Sequence, residues 1–241
     1  MRKRRKINKP LLVTIIVLFV LTAAFLGYCL PYYHAEGFPD VKSTNTVNII
    51  SEKHYTFYDG PGEKEALIFY PGAKVESKAY EALLYKLSEE GTDCFLVNMP
   101  LHIAIFGKNR ANEIISSYDY DDYIMAGHSL GGAMASSYAK AHEDKVNKII
   151  FLASYGTQDF SNDENLKILS IYGSNDKVIR KEAYNKAVSL YPENGFTEYV
   201  IKGGNHSGFS YYGPQKGDGE ADISKEEQIN ETLQIITDWL K

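Results

Sequence analysis

The chain has 241 residues, 44% of them hydrophobic and 24% charged, which is enough for one domain with a sizeable core. Its formal charge of −5 hides an asymmetry: without Arg2, Lys3, Arg4, Arg5, Lys6 and Lys9, 20 basic side chains face 31 acidic ones, a charge of −11 on the remainder. That balance disfavours a nucleic-acid partner, and two cysteines, Cys29 and Cys94, make no disulfide framework.

The first predicted element is the apolar run Leu11 to Leu30, which carries no charge and has the roughly 20 residues that a helix needs to cross a bilayer. Positive charge on its N-terminal side predicts a cytoplasmic N-terminus and an extracytoplasmic domain after Pro31. The run is longer than the apolar region of a cleaved signal peptide and ends in Gly27-Tyr28-Cys29 rather than a small-x-small site, so a retained cell-membrane anchor is expected. Tyr28 also stands where a small residue is expected before a lipidated cysteine. The chain therefore divides into a basic cytoplasmic segment (1–10), a transmembrane anchor (11–30), a stalk (31–44) and a folded domain (45–241).

Val47 to Ser51 and His54 to Tyr58 are β-rich and precede the turn signal Asp59-Gly60-Pro61-Gly62, which predicts an antiparallel edge. Ala66 to Tyr70 is apolar without alternation, as in a strand covered on both faces. Tyr80, Leu83, Leu84 and Leu87 then recur at helical spacing from Ser77 until Gly91. Further strands are expected at Cys94 to Val97, Tyr123 to Ala126, Lys148 to Leu152, Lys167 to Tyr172 and Phe196 to Ile201. Helices are expected at Asn109 to Ser117, around Ala133 to Tyr138, at Arg180 to Leu190, and on the face formed by Ile229, Leu233, Ile236 and Leu240. Such alternation predicts an α/β fold with a doubly wound, mostly parallel sheet, whose ligands bind beyond the carboxyl ends of the strands.

One of those ends reads Gly127-His128-Ser129-Leu130-Gly131, where an apolar run turns at once into a helical pattern. The glycines allow the close backbone packing that such a corner requires, and Ser129 projects from it as a nucleophile. A serine needs a base, and the base a carboxylate to orient it. Of six histidines, His34, His54, His128 and His142 fall in the stalk, a strand, the turn and a helix; between His102 and His206, only His206 follows the last predicted strand. Asp176, just past another buried strand in Gly173-Ser174-Asn175-Asp176, is the expected acid, with Asp159 and Asp163 as alternatives. Oxyanion donors are expected from the backbone amides of Leu130, at a helix N-terminus, and of Ala73, in the loop after Tyr70, with Lys74 as the alternative to Ala73.

The Ser129 motif, Gly173 to Asp176 and Gly204-Asn205-His206 together resemble the α/β-hydrolase superfamily. More narrowly, with the tail from Gly208 to Glu220, the chain is similar to membrane-anchored alpha/beta hydrolase fold-5, or dienelactone-hydrolase-like, proteins of Gram-positive bacteria. Dienelactone hydrolases use a cysteine nucleophile where this chain has Ser129, so their substrate does not carry over. The resemblance implies a serine esterase acting on a small-molecule or lipid acyl substrate. An acyltransferase on the same three groups, or an inactive cell-envelope binding protein on a hydrolase scaffold, remains open.

Only Ser154 to Glu164 separates two strands where such folds insert a cap, so the cap is expected to be minimal. Leu101, His102 and Phe106, in the apolar loop Asn98 to Phe106, together with Tyr155 and Phe209, are the expected substrate-contacting residues. The loop's alternative is core packing. The acidic stretch Asp218 to Asp222 lacks the ligand spacing of a calcium loop and reads as a solvated loop, and no metal or cofactor is expected.

Overall fold

A computed structural model describes residues 8–241; the basic residues ahead of Asn8, most of the expected cytoplasmic segment, lie outside the described residues. Helix α1 (Lys9–Cys29) covers the apolar run and is long and apolar enough to cross a membrane. All of its side chains except Cys29 are exposed, as expected of a helix solvated by lipid rather than by a core.

The domain that follows is an eight-stranded sheet with helices on both faces. Strands β1 (Asn48–Ser51) and β2 (Tyr55–Asp59) form the expected antiparallel edge. They are followed by β3 (Glu65–Tyr70), α2 (Glu81–Glu89), β4 (Asp93–Val97), α3 (Ala111–Ser117), β5 (Asp122–His128) and α4 (Leu130–Ala141). Then come β6 (Val146–Leu152), β7 (Lys167–Gly173), α5 (Lys181–Val188), β8 (Phe196–Ile201) and α6 (Lys225–Leu240). The spatial order is β1-β2-β4-β3-β5-β6-β7-β8, and every pair from β4 through β8 is parallel.

The apolar runs without alternation are buried on both faces. In β3, Leu67 and Phe69 pack with Leu83, Leu87, Ile229 and Ile236 under α2 and α6, while Ile68 and Tyr70 pack with Ile114, Ala135 and Tyr138 under α3 and α4. α6 begins with a capping box, in which the Ser224 side chain accepts from the Glu227 amide and the Glu227 side chain returns to the Ser224 amide. Residues 153–166, between β6 and β7, contain no helix or strand, so the cap is minimal.

The chain leaves β3 for β4 on one side and returns to β5 on the other, which opens a crevice at the carboxyl ends of β3 and β5. Two loops meet there, Pro71 to Lys74 and the β5–α4 corner. At the corner Ser129 has φ 51° and ψ −124°, a conformation that costs an L-residue on the order of 1–3 kcal/mol and needs support from its surroundings. The support is close packing: a Cβ on Gly131 would collide with the carbonyl oxygens of Tyr70 and Pro71 at the end of β3.

Gly131→Ala is therefore expected to lose about 3 kcal/mol, the upper end for overpacking, because backbone rather than a flexible side chain must yield. Urea unfolding checks this, and an unchanged midpoint would remove the contact from the account of the corner.

Candidate active site

The three residues picked out by their chain order reach one place from three strand ends. His206, after β8, lies with its Nδ1 2.9 Å from Asp176 Oδ2, after β7, and both side chains are almost completely buried. The other Asp176 oxygen accepts from the amides of Val178 at 2.8 Å and Ile179 at 2.9 Å. Burial by itself raises the pKa of this carboxyl, but the hydrogen bond and charge of His206 and the two amides outweigh it and hold the group below its usual range. The second ring nitrogen of His206, Nε2, is buried without a hydrogen-bond partner.

Ser129 and His206 line the same cavity, of about 280 Å³, whose remaining wall is mostly apolar and includes Leu130, Ala133, Tyr155, Val178 and Ile179. Asp159 and Asp163, the alternative acids, are engaged in local turns, the first with Ser161 and the second with the amides of Asn165 and Leu166.

The amides around Ser129 sort themselves by their partners. Pro71 has none to give, Gly72 N–H donates to the Tyr80 hydroxyl at 3.1 Å, and Lys74 N–H donates to the His102 carbonyl at 2.6 Å. Ala73 is left as the loop amide without a partner among the described residues. Leu130 is the first residue of α4, where an N–H has no carbonyl within its own helix to bond. The two expected amides, one on each loop of the crevice, are thus free of backbone partners among the described residues.

Of the expected substrate-contacting residues, Tyr155 lines the cavity. Phe209 is fully buried, its ring centroid 6.0 Å from that of His128. Leu101, His102 and Phe106 are absent from the cavity wall and face a different surface. His102 stacks on Tyr32 at 3.9 Å, Phe106 meets Phe25 edge-on at 5.9 Å, and Leu101 is exposed.

Two further groups, not singled out in the sequence, bear on the geometry. His128, next to Ser129, is fully buried, with Nε2 2.9 Å from the carbonyl oxygen of His206 and Nδ1 2.8 Å from the Tyr80 hydroxyl. A carbonyl can only accept, so Nε2 carries the proton, and Tyr80 donates to Nδ1 while accepting from Gly72. A continuous chain therefore joins the amide of Gly72 to the backbone of His206. Burial, reinforced by the nearby His206, pushes the pKa of His128 down to about 3 and keeps the ring neutral, as this chain requires. Gly72 has no room for a side chain, since a Cβ there would lie 2.7 Å from His128 Nδ1. The other group is Asp218, whose carboxylate accepts from the amides of His206 at 3.1 Å and Ser207 at 2.8 Å, fixing the loop that carries the histidine. A histidine inside a strand end and an aspartate in an acidic loop carry no local sequence signal for either role.

The neutral state of His128 makes stability depend on pH. In the unfolded chain it takes up a proton below pH 6.5, its ordinary value, but in the fold it resists protonation down to about 3. The unfolded state then binds more protons, so stability falls as pH is lowered through that window. Asp176, with its lowered pKa, adds a loss only as pH falls below its ordinary value of 3.8. Urea midpoints measured from pH 7 to 4 are expected to decline for the native sequence and to decline less for His128→Gln, which has no proton to gain.

With this geometry in view, the comparisons with known proteins are consistent with one another. A family model described as "Alpha/beta hydrolase family" matches residues 66–230. No curated protein matches the chain. Among solved structures, the fold is similar to alpha/beta hydrolase domain-containing protein 10 from mouse, with TM-score 0.59 and 11% identity, covering 81% of this chain and 98% of that one. It is also similar to a monoacylglycerol lipase from Paleococcus ferrophilus, with TM-score 0.59 and 13% identity, covering 78% and 99%. An esterase from Pyrobaculum calidifontis is similar at TM-score 0.58 and 14% identity, covering 100% and 96%. At such identities the likeness concerns the fold, while the family model covers most of this sequence: the chain belongs to the alpha/beta hydrolase family.

Proposed function

We propose that the protein is a membrane-anchored serine hydrolase that cleaves a carboxylic ester or related acyl compound through an acyl-enzyme on Ser129. The observation that carries this reading is the orphaned Nε2 of buried His206: its opposite nitrogen is bound to Asp176, and it lies in the wall of a cavity shared with Ser129. A buried imidazole nitrogen without a partner is costly unless a proton is to pass through it.

In this reading Ser129 Oγ attacks the acyl carbon while its proton passes to His206 Nε2, and Asp176 stabilises the resulting imidazolium through Nδ1. The amides of Leu130 and Ala73 take up the charge on the former carbonyl oxygen. Collapse of the tetrahedral species breaks the acyl C–O bond, and the departing alcohol leaves with the proton from Nε2. Water then repeats the sequence: it gives a proton to Nε2, attacks the acyl-enzyme and releases the acid, while Ser129 recovers its hydrogen. No cofactor or metal takes part in these steps.

The ester is favoured as substrate because an esterase and a monoacylglycerol lipase stand among the similar folds, and the cavity wall is apolar enough to receive an acyl chain. The anchored placement, with a cytoplasmic N-terminus and an extracytoplasmic domain, is supported by α1 and the basic residues before it. The narrower likeness to membrane-anchored hydrolases of Gram-positive bacteria belongs to the same proposal.

Ser129→Ala and His206→Ala are expected to lower kcat on short acyl esters on the order of 10³-fold or more, with little change in KM. Asp176→Asn is expected to fall by a similar order, because an amide cannot stabilise the imidazolium. A fluorophosphonate probe should label the native chain and not Ser129→Ala; equal labelling of both would sink the reading. Release of acid to water rather than transfer to an added alcohol separates hydrolase from acyltransferase.

A further inference from the structure

The segment after α1 is bound to the domain. Tyr33 N–H donates to the Lys74 carbonyl at 2.7 Å, and Glu76 N–H donates back to the Tyr33 carbonyl at 2.9 Å. Ala35 N–H donates to the Glu76 carboxylate at 3.0 Å, and Glu36 N–H to the Tyr211 carbonyl at 3.0 Å. At the helix end itself, Lys74 Nζ donates to the Tyr28 carbonyl at 2.7 Å and lies 4.6 Å from the centre of the Tyr28 ring. α1 is thus fastened to the residue following Ala73, at the carboxyl end of the strands where Ser129 lies.

Beside this attachment, Leu101, Ile105 and Phe106 are 37%, 53% and 47% exposed. They stand on two short 3-10 turns, Pro100–His102 and Ala104–Gly107. Phe106 meets α1 at Phe25, about one turn before the helix ends. A side chain packed on a membrane-crossing helix one turn inside its end lies at the depth of the bilayer's surface layer. Exposed apolar residues at that level are in their preferred surroundings, whereas in water they would be a liability.

We infer that the loop of residues 100–107 enters the leaflet at the C-terminal end of α1, and that the substrate is an ester-linked acyl lipid drawn from that leaflet. The inference rests on the serine-hydrolase and anchor reading above. The chemistry is unchanged by it: one ester bond of the lipid is broken, one water is consumed, and a fatty acid and an alcohol are released. What changes is the route, since the fastening between Tyr28 and Glu36 keeps the carboxyl end of the strands, which carries Ser129, next to the end of α1.

Ile105 suits the test because it is exposed and lines neither the cavity nor the hydrogen-bonded chain around Ser129. The full chain is reconstituted in phosphatidylcholine vesicles containing a diacylglycerol, with p-nitrophenyl butyrate as the water-soluble ester. Ile105→Asp is expected to keep turnover of the soluble ester and to lose about tenfold or more on the diacylglycerol, because a carboxylate resists entry into the leaflet. In Ile105→Trp, lipids carrying a nitroxide near the headgroup should quench fluorescence beyond the level seen with Trp239, the chain's own tryptophan. Undiminished diacylglycerol turnover, equal losses on both esters, or absent quenching would each overturn the inference. If the native chain hydrolyses neither ester, the hydrolase reading fails and the lipid substrate with it, while quenching still decides whether the loop enters the bilayer.

Discussion

The structure depends on one close approach, that of the β5–α4 corner to the end of β3. Strand order forces the two backbones together at the switch point, and only a glycine at 131 lets them meet without collision with Tyr70 and Pro71. The contact supports the unusual backbone of Ser129 and sets the distance between the loops holding the amides of Ala73 and Leu130. Strain at Ser129, small beside the burial of the sheet on both faces, is tolerated because many contacts around it are satisfied at once.

Around that corner most buried polar groups have partners, and His206 Nε2 is among the few side-chain atoms that do not. His128 and Tyr80 carry hydrogen bonding from the Gly72 amide across the crevice to the His206 backbone. The loop from Pro71 to Lys74 and the loop that carries His206 are thus held by a shared set of neutral bonds. A charged His128 would force the Tyr80 hydroxyl to turn from donor to acceptor and would stand 4.7 Å, ring to ring, from His206. Low pH therefore acts on the architecture as well as on any proton transfer.

The sheet was legible in the sequence because its central strands are apolar on both faces: Ala66 to Tyr70 or Lys148 to Leu152 have one plausible environment. Ser129 and Asp176 were legible because each follows such a strand, and His206 because it follows the last strand of the series, the more exposed edge strand β8. Two other features had no such signature. The partners of His128, Tyr80 and His206, are 48 and 78 residues away, and nothing local tells a histidine that bridges two loops from one that fills a strand end. The loop Asn98 to Phe106 divided between substrate wall and core because both readings assume water outside the protein. Phe106 instead packs on Phe25 of α1, a helix long and apolar enough to cross a membrane, a third environment that neither reading considers.

The fastening from Tyr28 to Glu36 also bears on how the enzyme could be handled. Cutting the chain within these residues would remove α1. The cut would release Lys74 and Glu76 from the backbone of Tyr33 and the Lys74 ammonium from the Tyr28 carbonyl, all within three residues of the Ala73 amide. A trimmed chain would then be a poor standard for the native one, because the Pro71 to Lys74 loop would have lost part of its support. The tether and the loop that carries Ala73 are bonded to each other, so they are lost or engineered together.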